Sequence, residues 1–385
     1  MKKTQFAGKI ESSEGVAETL AAADAKVLAY LEDISLDYQF FERNPSFASL
    51  TKLGSRIGTK PCTLPAKVEL KGSGTATTDP EWTKYIKACG TRVNTLKTIT
   101  IGAITSGPFL HGETITGGTS GATGRVIINT VTGTTSLYFV VLSGTFQNSE
   151  TITGGTSGAT ATSGSTVSSL GLVIEPISYY SNSIPSLTLA GYEDGIRKLL
   201  RGCRGNFKLN ASKVGEPIMM EYAFNGISSA IADVALLSGI VYESVKPPVF
   251  HNTGFTIDSF AAKIHQLDMD LGNVLAARED AGAATLNGLL SYLITDRNPV
   301  ISFTCEQPLV ASYDFYGKMD AETKLAINIP TIGTTTGNKF RFYAPEFQIT
   351  KIDNVDKDGI RCIQCSGPLT RENLYNDTEF CLIQL

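Results

Sequence analysis

The chain has 385 residues, of which 42% are hydrophobic and 18% charged, and its net charge at pH 7 is −4. This length and composition are typical of a folded protein of two or three domains, and they exclude disorder as the main state. The mildly acidic net charge also excludes the strongly basic surface expected of a protein that binds DNA or anionic lipid through charge.

The sequence pattern contains neither an export signal nor a disulfide framework. No run of 18 apolar residues occurs, and the basic start MKKTQFAGKIE lacks the apolar core of a signal peptide. The seven cysteines are odd in number and scattered, which argues against disulfide pairing. We therefore expect a chain that folds in the cytoplasm, has no membrane partner and keeps its thiols free.

The first part of the chain combines a segment of mixed signals with a well-marked helix. In the segment 15–38 alanine content favours a helix and the later alternation favours a strand, so we predict a strand from about Lys26. A short helix is predicted over 79–90, with Asp79 as its cap and Gly90 as its stop. The apolar stripe expected to pack on a sheet consists of Trp82, Tyr85, Ile86 and Cys89.

A compositional island runs from 97 to 173. Its only charged residues are Lys97, Glu113, Arg125 and Glu150. Alternating runs separated by glycine pairs indicate short strands and tight turns. The letters ETITGGTSGAT occur at 113–123 and again at 150–160, without the lysine and the following helix that a phosphate-binding loop needs. We predict a small all-β insert domain over 97–173, built on a duplicated turn.

The residues outside the island contain a second, more diverged repeat. The first half contains DISLDYQFF, KVELKGSG, a short helix and a two-stranded hairpin, at 33–41, 67–74, 79–90 and 196–226. The second half contains HQLDMDLGN, PVISFTCEQ, a short helix and a two-stranded hairpin, at 265–273, 299–307, 309–320 and 339–367. This order predicts one β-rich unit used twice, the first formed by 1–96 plus 174–247 and the second by 248–385.

Long polar loops, 41–61 and 271–299, are predicted between the same two strands of each unit. At over 20 residues each they exceed ordinary loop length, which usually signals binding.

The search for chemistry yields no catalytic or ligand-binding constellation. The candidates are three histidines, a CxxC pair and two carboxylate pairs: His111, His251 and His265; Cys362 and Cys365; Glu193 with Asp194 and Glu279 with Asp280. The histidines lack ligands at metal spacing, cysteines three apart in a strand lie on opposite faces, and adjacent carboxylates in loops are usually solvated. We therefore predict no catalytic residue, no cofactor and no metal site, and hence no enzyme.

Basic residues cluster in IRKLLRGCRG, namely Arg197, Lys198, Arg201 and Arg204. Because no aromatic stacking pattern accompanies them, a solvated or intersubunit salt-bridging face is favoured over nucleic-acid binding.

Four motifs of the chain outside the island resemble, in their order, the major tail tube proteins of long-tailed bacteriophages. They are LKGSGTATTDPEWTKYIKACG, GIRKLLRGCRGNFKLNASKVGEPIMMEYAFNG, LITDRNPVISFTCEQP and KFRFYAPEFQITKIDNVDKDGIRCIQCSG. The resemblance implies a mainly β chain with two tandem β-sandwich or barrel tube domains, each with a flanking short helix, plus the inserted decoration domain. It further implies a homotrimeric, pseudo-hexameric ring whose strands join into one β-barrel channel, with a homohexamer as the alternative.

The function implied by this resemblance is that of a structural virion protein, assembled in the host cytoplasm and located in the phage tail. Stacked rings would form the tail tube, a passive channel through which DNA passes into the host without specific binding. The long loops would contact the neighbouring ring, other tail proteins would bind the tube ends, and the insert is a candidate for weak host-surface contact. A β-rich surface adhesin or fibre-type carbohydrate-binding protein is the alternative, although such proteins are more often secreted.

Overall fold

The computed structural model describes residues 3–46, 48–49, 51–131, 133–178, 184–282, 288–371 and 377–385. Regular structure in these residues is mainly β-strand. The first strands are β1 (Thr4–Ile10), β2 (Ala29–Leu31), β3 (Ser35–Leu36), β4 (Phe40–Arg43), β5 (Leu53–Ile57), β6 (Pro61–Glu69) and β7 (Thr91–Thr100). The middle strands are β8 (Thr114–Gly117), β9 (Thr123–Val126), β10 (Ser136–Ser143), β11 (Thr151–Gly154), β12 (Thr160–Thr162), β13 (Ser168–Pro176), β14 (Leu187–Glu193), β15 (Ile196–Ala211) and β16 (Met219–Asp233).

The remaining strands are β17 (Thr256–Ile257), β18 (Phe260–Ala261), β19 (Ile264–Asp270), β20 (Asn273–Glu279), β21 (Leu289–Arg297), β22 (Val300–Glu306), β23 (Lys324–Ile332), β24 (Phe340–Gln348), β25 (Lys351–Lys357), β26 (Ile360–Thr370) and β27 (Cys381–Gln384). Helical structure is limited to α1 (Thr83–Lys87), α2 (Phe315–Asp320) and one 3₁₀ turn (Ala22–Ala25). The chain is thus mainly β, as predicted.

Two antiparallel ladders organise these strands. The first ladder runs in the order β2, β6, β16, β15, β19, β22, β26 and β25, with β3 beside β2 on the same edge of β6. The strands β1 and β14 extend the other half of β15. The second ladder runs β7, β13, β27, β24, β23 and β17. A short pairing of β24 with β26 connects the two.

The main hydrophobic core contains residues from both ladders and from both helices. Strand β6 shows how the sequence builds it, because its alternate residues Cys62, Leu64, Ala66 and Val68 are buried while those between them are partly exposed. The side chains of Trp82 and Phe315 bring α1 and α2 into the same core.

The predicted helix over 79–90 is confirmed in kind, but it is shorter and capped differently. It begins at Thr83, and Asp79 forms an ion pair with Lys87 at 3.1 Å instead of capping the first turn. Gly90 follows the helix with a φ of +79°, so its expected role as a stop is confirmed. The stripe of Trp82, Tyr85, Ile86 and Cys89 is fully buried.

Other predicted elements are also found in place. The segment after Lys26 is extended and forms β2 and β3. Helix α2 lies within 309–320, and Asp314 caps it by accepting a hydrogen bond from the Gly317 amide. The predicted hairpins are β15–β16 and β25–β26.

Candidate assembly surfaces

The first surface of interest is the joint at which β15 pairs with β19. Residues 208–211 of β15 form an antiparallel ladder with residues 267–270 of β19, from Lys208 opposite Asp270 to Ala211 opposite Leu267. The Lys208 Nζ lies 2.8 Å from a carboxylate oxygen of Asp270. Main-chain pairing therefore joins a strand of the first half of the chain to a strand of the second half.

A row of alternating charges crosses the solvent-exposed side of this sheet. Lys67, Glu221, Lys208 and Asp270 are successive cross-strand neighbours on β6, β16, β15 and β19. The Lys67 Nζ lies 3.5 Å from Glu221 and 3.3 Å from the Glu32 carboxylate. Opposite charges placed face to face across strands stabilise their register.

Both lysines of this row are held by carboxylates. A hydrogen bond to Glu32, with help from Glu221, raises the pKa of Lys67. A hydrogen bond to Asp270 raises the pKa of Lys208. On the solvent side of β6, β15, β16 and β19 the acidic residues Glu69, Glu221, Asp268 and Asp270 outnumber these two cations. The sheet is therefore net acidic around the β15–β19 joint, whereas Arg197 and Lys198 lie farther along β15.

The two outermost strands of the first ladder have an open side. Strands β2 and β3 pair only with β6, and β25 pairs only with β26, within the described residues. Unpaired edges are templates for pairing with another chain. The described sheet thus ends in two edges that are open to strand addition.

The two segments predicted as polar loops contain β-ribbons instead. Strand β4 pairs with β5, and β20 pairs with β21, each as a separate two-stranded sheet. Positions 47, 50 and 283–287 of these segments lie outside the described residues. The prediction of loops was therefore wrong. Neither ribbon buries a whole face against another sheet, and so neither sequence has the alternation of apolar and polar residues that marks a half-buried strand.

The ribbon β20–β21 is packed on the first half of the chain. Leu289 and Tyr292 of β21 form an apolar cluster with Ile227 of β16. A Cβ added to Gly202 would lie 2.8 Å from the Leu290 carbonyl oxygen, so the glycine permits this close approach.

Two buried arginines fasten this ribbon through its backbone. Arg201 donates to the carbonyl of Leu289 at 3.3 Å, and Arg204 donates to the carbonyl of Tyr292 at 2.6 Å. Arg204 also forms an ion pair with Glu14 at 2.6 Å. The expectation of a solvated or intersubunit face was therefore wrong for these two members of the basic cluster.

The ribbon β4–β5 has the opposite environment. Every residue of both strands is exposed. The exposed fractions are 62% for both Phe40 and Phe41, 40% for Leu53 and 47% for Ile57. Phe40 lies opposite Ile57 in the ribbon, so the two form an uncovered apolar pair. An isolated two-stranded hairpin is at best marginally stable in water.

The island forms a closed ring of strands, which we call the insert barrel (residues 99–163). Hydrogen-bonded neighbours run from β7 through β10, β9, β8, β11 and β12. The ring closes where Ile101 bridges to Ser163 and Thr105 bridges to Thr160. Its own core consists of Ile99, Ile101, Phe109, Ile115, Ala122, Val126, Leu137, Phe139, Phe146, Ile152, Ala159 and Ala161.

The repeated letters ETITGGTSGAT form a reciprocal carboxylate contact, which we call the crossed clasp. Glu113 of the first copy accepts hydrogen bonds from the amides of Thr156 and Ser157 in the second copy, at 3.1 and 3.0 Å. Glu150 of the second copy accepts from the amide and the hydroxyl of Ser120 in the first copy, both at 2.9 Å. Each copy therefore caps the turn of the other.

A local two-fold relation explains why the letters occur twice. Strands β8 and β11 pair antiparallel with Thr116 opposite Thr153, and these residues occupy the same place in the two copies. A Cβ on Gly117 would lie 2.6 Å from a Glu150 oxygen, and one on Gly154 would lie 2.8 Å from a Glu113 oxygen. The glycines thus make room for the carboxylates, and no phosphate is needed to account for them.

The insert barrel is joined to the rest of the chain by a buried ionic group. Glu175, which is fully buried, accepts hydrogen bonds from Arg92 at 3.3 Å and from Arg125. His111 lies nearby, and burial lowers its pKa. Strands β7 and β13 remain paired on both sides of the predicted borders at 97 and 173, so these borders fall inside strands.

The remaining chemical candidates behave as ordinary structural residues. Cys362 and Cys365 are both buried on β26, and burial raises the pKa of each thiol. Asp194 and Asp280 accept backbone hydrogen bonds, from Lys3 and Gly282, at exposed turns. Within the described residues, no cluster of three or more His, Cys, Asp or Glu side chains could hold a metal ion.

No protein-family model matches the sequence, and no curated protein is significantly similar to it. In the part of the chain that the structure describes, no helix has the length and apolar character required to cross a bilayer.

Proposed function

We propose that the chain is a tail tube protein that polymerises into stacked homotrimeric rings around a channel for DNA. The proposal rests on the resemblance of its ordered motifs to that family and on the physical features of the assembly surfaces. Each chain supplies two tube units and one exterior insert.

The order of elements supports two equivalent units. In the first half, β2 and β3 lead through the ribbon β4–β5 to β6, then to α1, and later to the hairpin β15–β16. In the second half, β19 leads through the ribbon β20–β21 to β22, then to α2, and later to the hairpin β25–β26. Strand β6 pairs with β16, and β22 pairs with β26, in the same antiparallel sense.

The observation that carries the proposal is the joint between β15 and β19. It is the pairing of the hairpin of one unit with the first strand of the other unit. The same joint made between copies would pair the open edge of β25 with the open edge of β2. Three chains joined in this way would form a closed ring of six units, and ring closure would remove every open edge of this sheet.

The acidic face of the sheet suits the channel wall. Free lysines facing DNA would displace counterions and hold the phosphates. Lys67 and Lys208 are instead neutralised by neighbouring carboxylates, Glu221 and Asp270, and Asp268 adds negative charge on the same face. We place this face toward the lumen, where it would let DNA slide without binding.

The insert barrel fits a position outside the ring. Its strands close on themselves, so it offers no edge for the strand addition that would build the wall. It is also attached at the second ladder, through β7 and β13, and not at the open edges β2 and β25.

Electron microscopy of the purified chain tests the proposal. We expect rings and hollow tubes of constant diameter, with three chains per ring in a symmetry reconstruction. A monodisperse monomer at all concentrations would contradict the tube, and six chains per ring would contradict the two-unit arrangement.

A further inference from the structure

The two ribbons of the chain occupy contrasting environments. The ribbon β20–β21 is fastened to the first half of its own chain, whereas β4–β5 is exposed along both strands. We propose that β4–β5 is a lateral clamp that docks on the second unit of a neighbouring copy within the same ring. This inference rests on the proposed ring and differs from a contact with the next ring in the stack.

The contact inside the chain supplies the precedent. The ribbon β20–β21 belongs to the second unit and packs on β15 and β16 of the first unit, which is its neighbour through the β15–β19 joint. A ribbon therefore reaches the unit to which its own sheet is joined. The ribbon β4–β5 belongs to the first unit, whose open edge is β2, so the unit that it would reach belongs to another copy.

The surface on which β4–β5 would dock follows from the correspondence between the elements of the two units. The hairpin β25–β26 stands in the place of β15–β16, and the end of β24 pairs with the end of β26 next to it. At this end of β24, Glu346 lies opposite Thr370 of β26, and Gln348 lies two residues farther along β24. All three side chains are partly exposed. The ribbon carries Arg43 and Arg56, whose charges suit Glu346, although Lys324 donates to Gln348 and Thr370 at the same place.

The composition of the ribbon also calls for a partner. Phe40, Phe41 and Ile57 are large apolar side chains that are 47–62% exposed on a hairpin too small to be stable alone. Phenylalanine is among the residues enriched at the cores of protein–protein interfaces. A second copy of the chain is the one occupant for which the molecule itself contains a model contact.

A double substitution of the two aromatics tests the clamp. The variant Phe40→Ser with Phe41→Ser should fold as the parent does, because both side chains are exposed in the single chain. If each aromatic is worth about thirtyfold in association, the double variant should assemble roughly a thousandfold more weakly. The control is Leu142→Ser, since Leu142 is 54% exposed but lies on the insert barrel.

Sedimentation velocity and negative-stain microscopy distinguish the outcomes. We expect the parent and the Leu142→Ser control to form rings and tubes, and the double variant to remain a single folded chain. If the double variant forms rings of normal mass that fail to stack, the lateral clamp is overturned and the tube proposal stands. The same conclusion follows if the double variant forms normal tubes. A parent chain that forms no rings would overturn both.

Cross-linking locates the docking surface directly. A photo-reactive phenylalanine analogue at position 41, in tubes assembled from a mixture of isotopically light and heavy chains, should give mixed-isotope products. The partner peptides should lie within residues 340–370. Products formed only within one chain, or mixed products confined to other segments, would overturn the proposal.

Discussion

At the scale of single residues, the charges of the island are structural. Three of its four charged side chains are almost inaccessible, with exposed fractions of 2% for Glu113, 7% for Arg125 and 2% for Glu150. Only Lys97 presents its charge, and its Nζ donates to the Ser169 hydroxyl at 2.7 Å. The two glutamates stabilise turns through charge-assisted hydrogen bonds, which are stronger than neutral ones.

Substitution of either glutamate should act on the other copy of the repeat. We expect Glu150→Gln to destabilise the insert barrel by about 1–3 kcal/mol, because buried amide donors lose an ionised acceptor. Hydrogen exchange should accelerate most at the amides of Thr119 and Ser120, whereas Glu113→Gln should accelerate exchange at Thr156 and Ser157. Each variant is the control for the other, and exchange confined to the substituted copy would contradict the crossed clasp.

The clasp should also make the insert barrel sensitive to acid. Burial raises the pKa of Glu150, but hydrogen bonds from Ser120 and Gln147 outweigh this effect and leave the pKa below its ordinary value. A lowered folded-state pKa stabilises the fold above the ordinary pKa and loses that contribution as pH falls through the folded value. We expect local exchange protection at Ser120 to decrease below about pH 4.5, and to be lower and nearly independent of pH in Glu150→Gln. An unchanged pH profile in that variant would assign the acid sensitivity to other groups.

At the scale of elements, the sequence predicted what periodicity and turn chemistry control. The sequence predicted the hairpins β15–β16 and β25–β26 and the two short helices, because their buried residues recur at regular spacing. The ribbon β4–β5 could not be predicted, because a ribbon that is exposed on both faces has no alternation of apolar and polar residues. The crossed clasp could have been anticipated, since a glutamate begins each copy of the repeat in a segment with almost no other charge.

The fastening of β20–β21 is a prediction at the scale of an element. We expect Arg204→Met to cost about 3–5 kcal/mol, because it leaves the carbonyls of Ile184 and Tyr292 without this donor and removes one of the two arginines that pair with Glu14. The ribbon should then become a site of early cleavage in limited proteolysis. The matched control is Lys198→Met on the same strand, whose 3.7 Å ion pair with Glu193 is partly exposed and should change stability by less than about 1 kcal/mol. Equal effects of the two substitutions would contradict the fastening role.

At the scale of the whole molecule, two kinds of β-structure are combined in one chain. The first ladder ends in open edges, which suits assembly, and the insert barrel closes on itself, which suits an independent attachment. The insert barrel meets the second ladder, and not the first, at the Glu175 group and at a small apolar cluster that includes Leu96, Val173 and Ile383. Removal of the insert should therefore expose this cluster without breaking the first ladder.

Excision of the insert barrel tests this division. Thr98 and Ser168 are cross-strand partners at its base, so a short Gly/Ser turn between them can replace residues 99–167 while β7 and β13 stay paired. We expect tubes with an unchanged inner diameter and a reduced outer diameter. Thiol labelling of Cys381, which is buried against the insert, should become faster and so report that the attachment surface has been uncovered. A second version of the truncated chain carries Ile383→Thr, a substitution in the same apolar cluster, which reduces the apolar surface and guards against aggregation. A truncated chain that folds, labels at Cys381 and yet cannot assemble would place the insert in the tube wall.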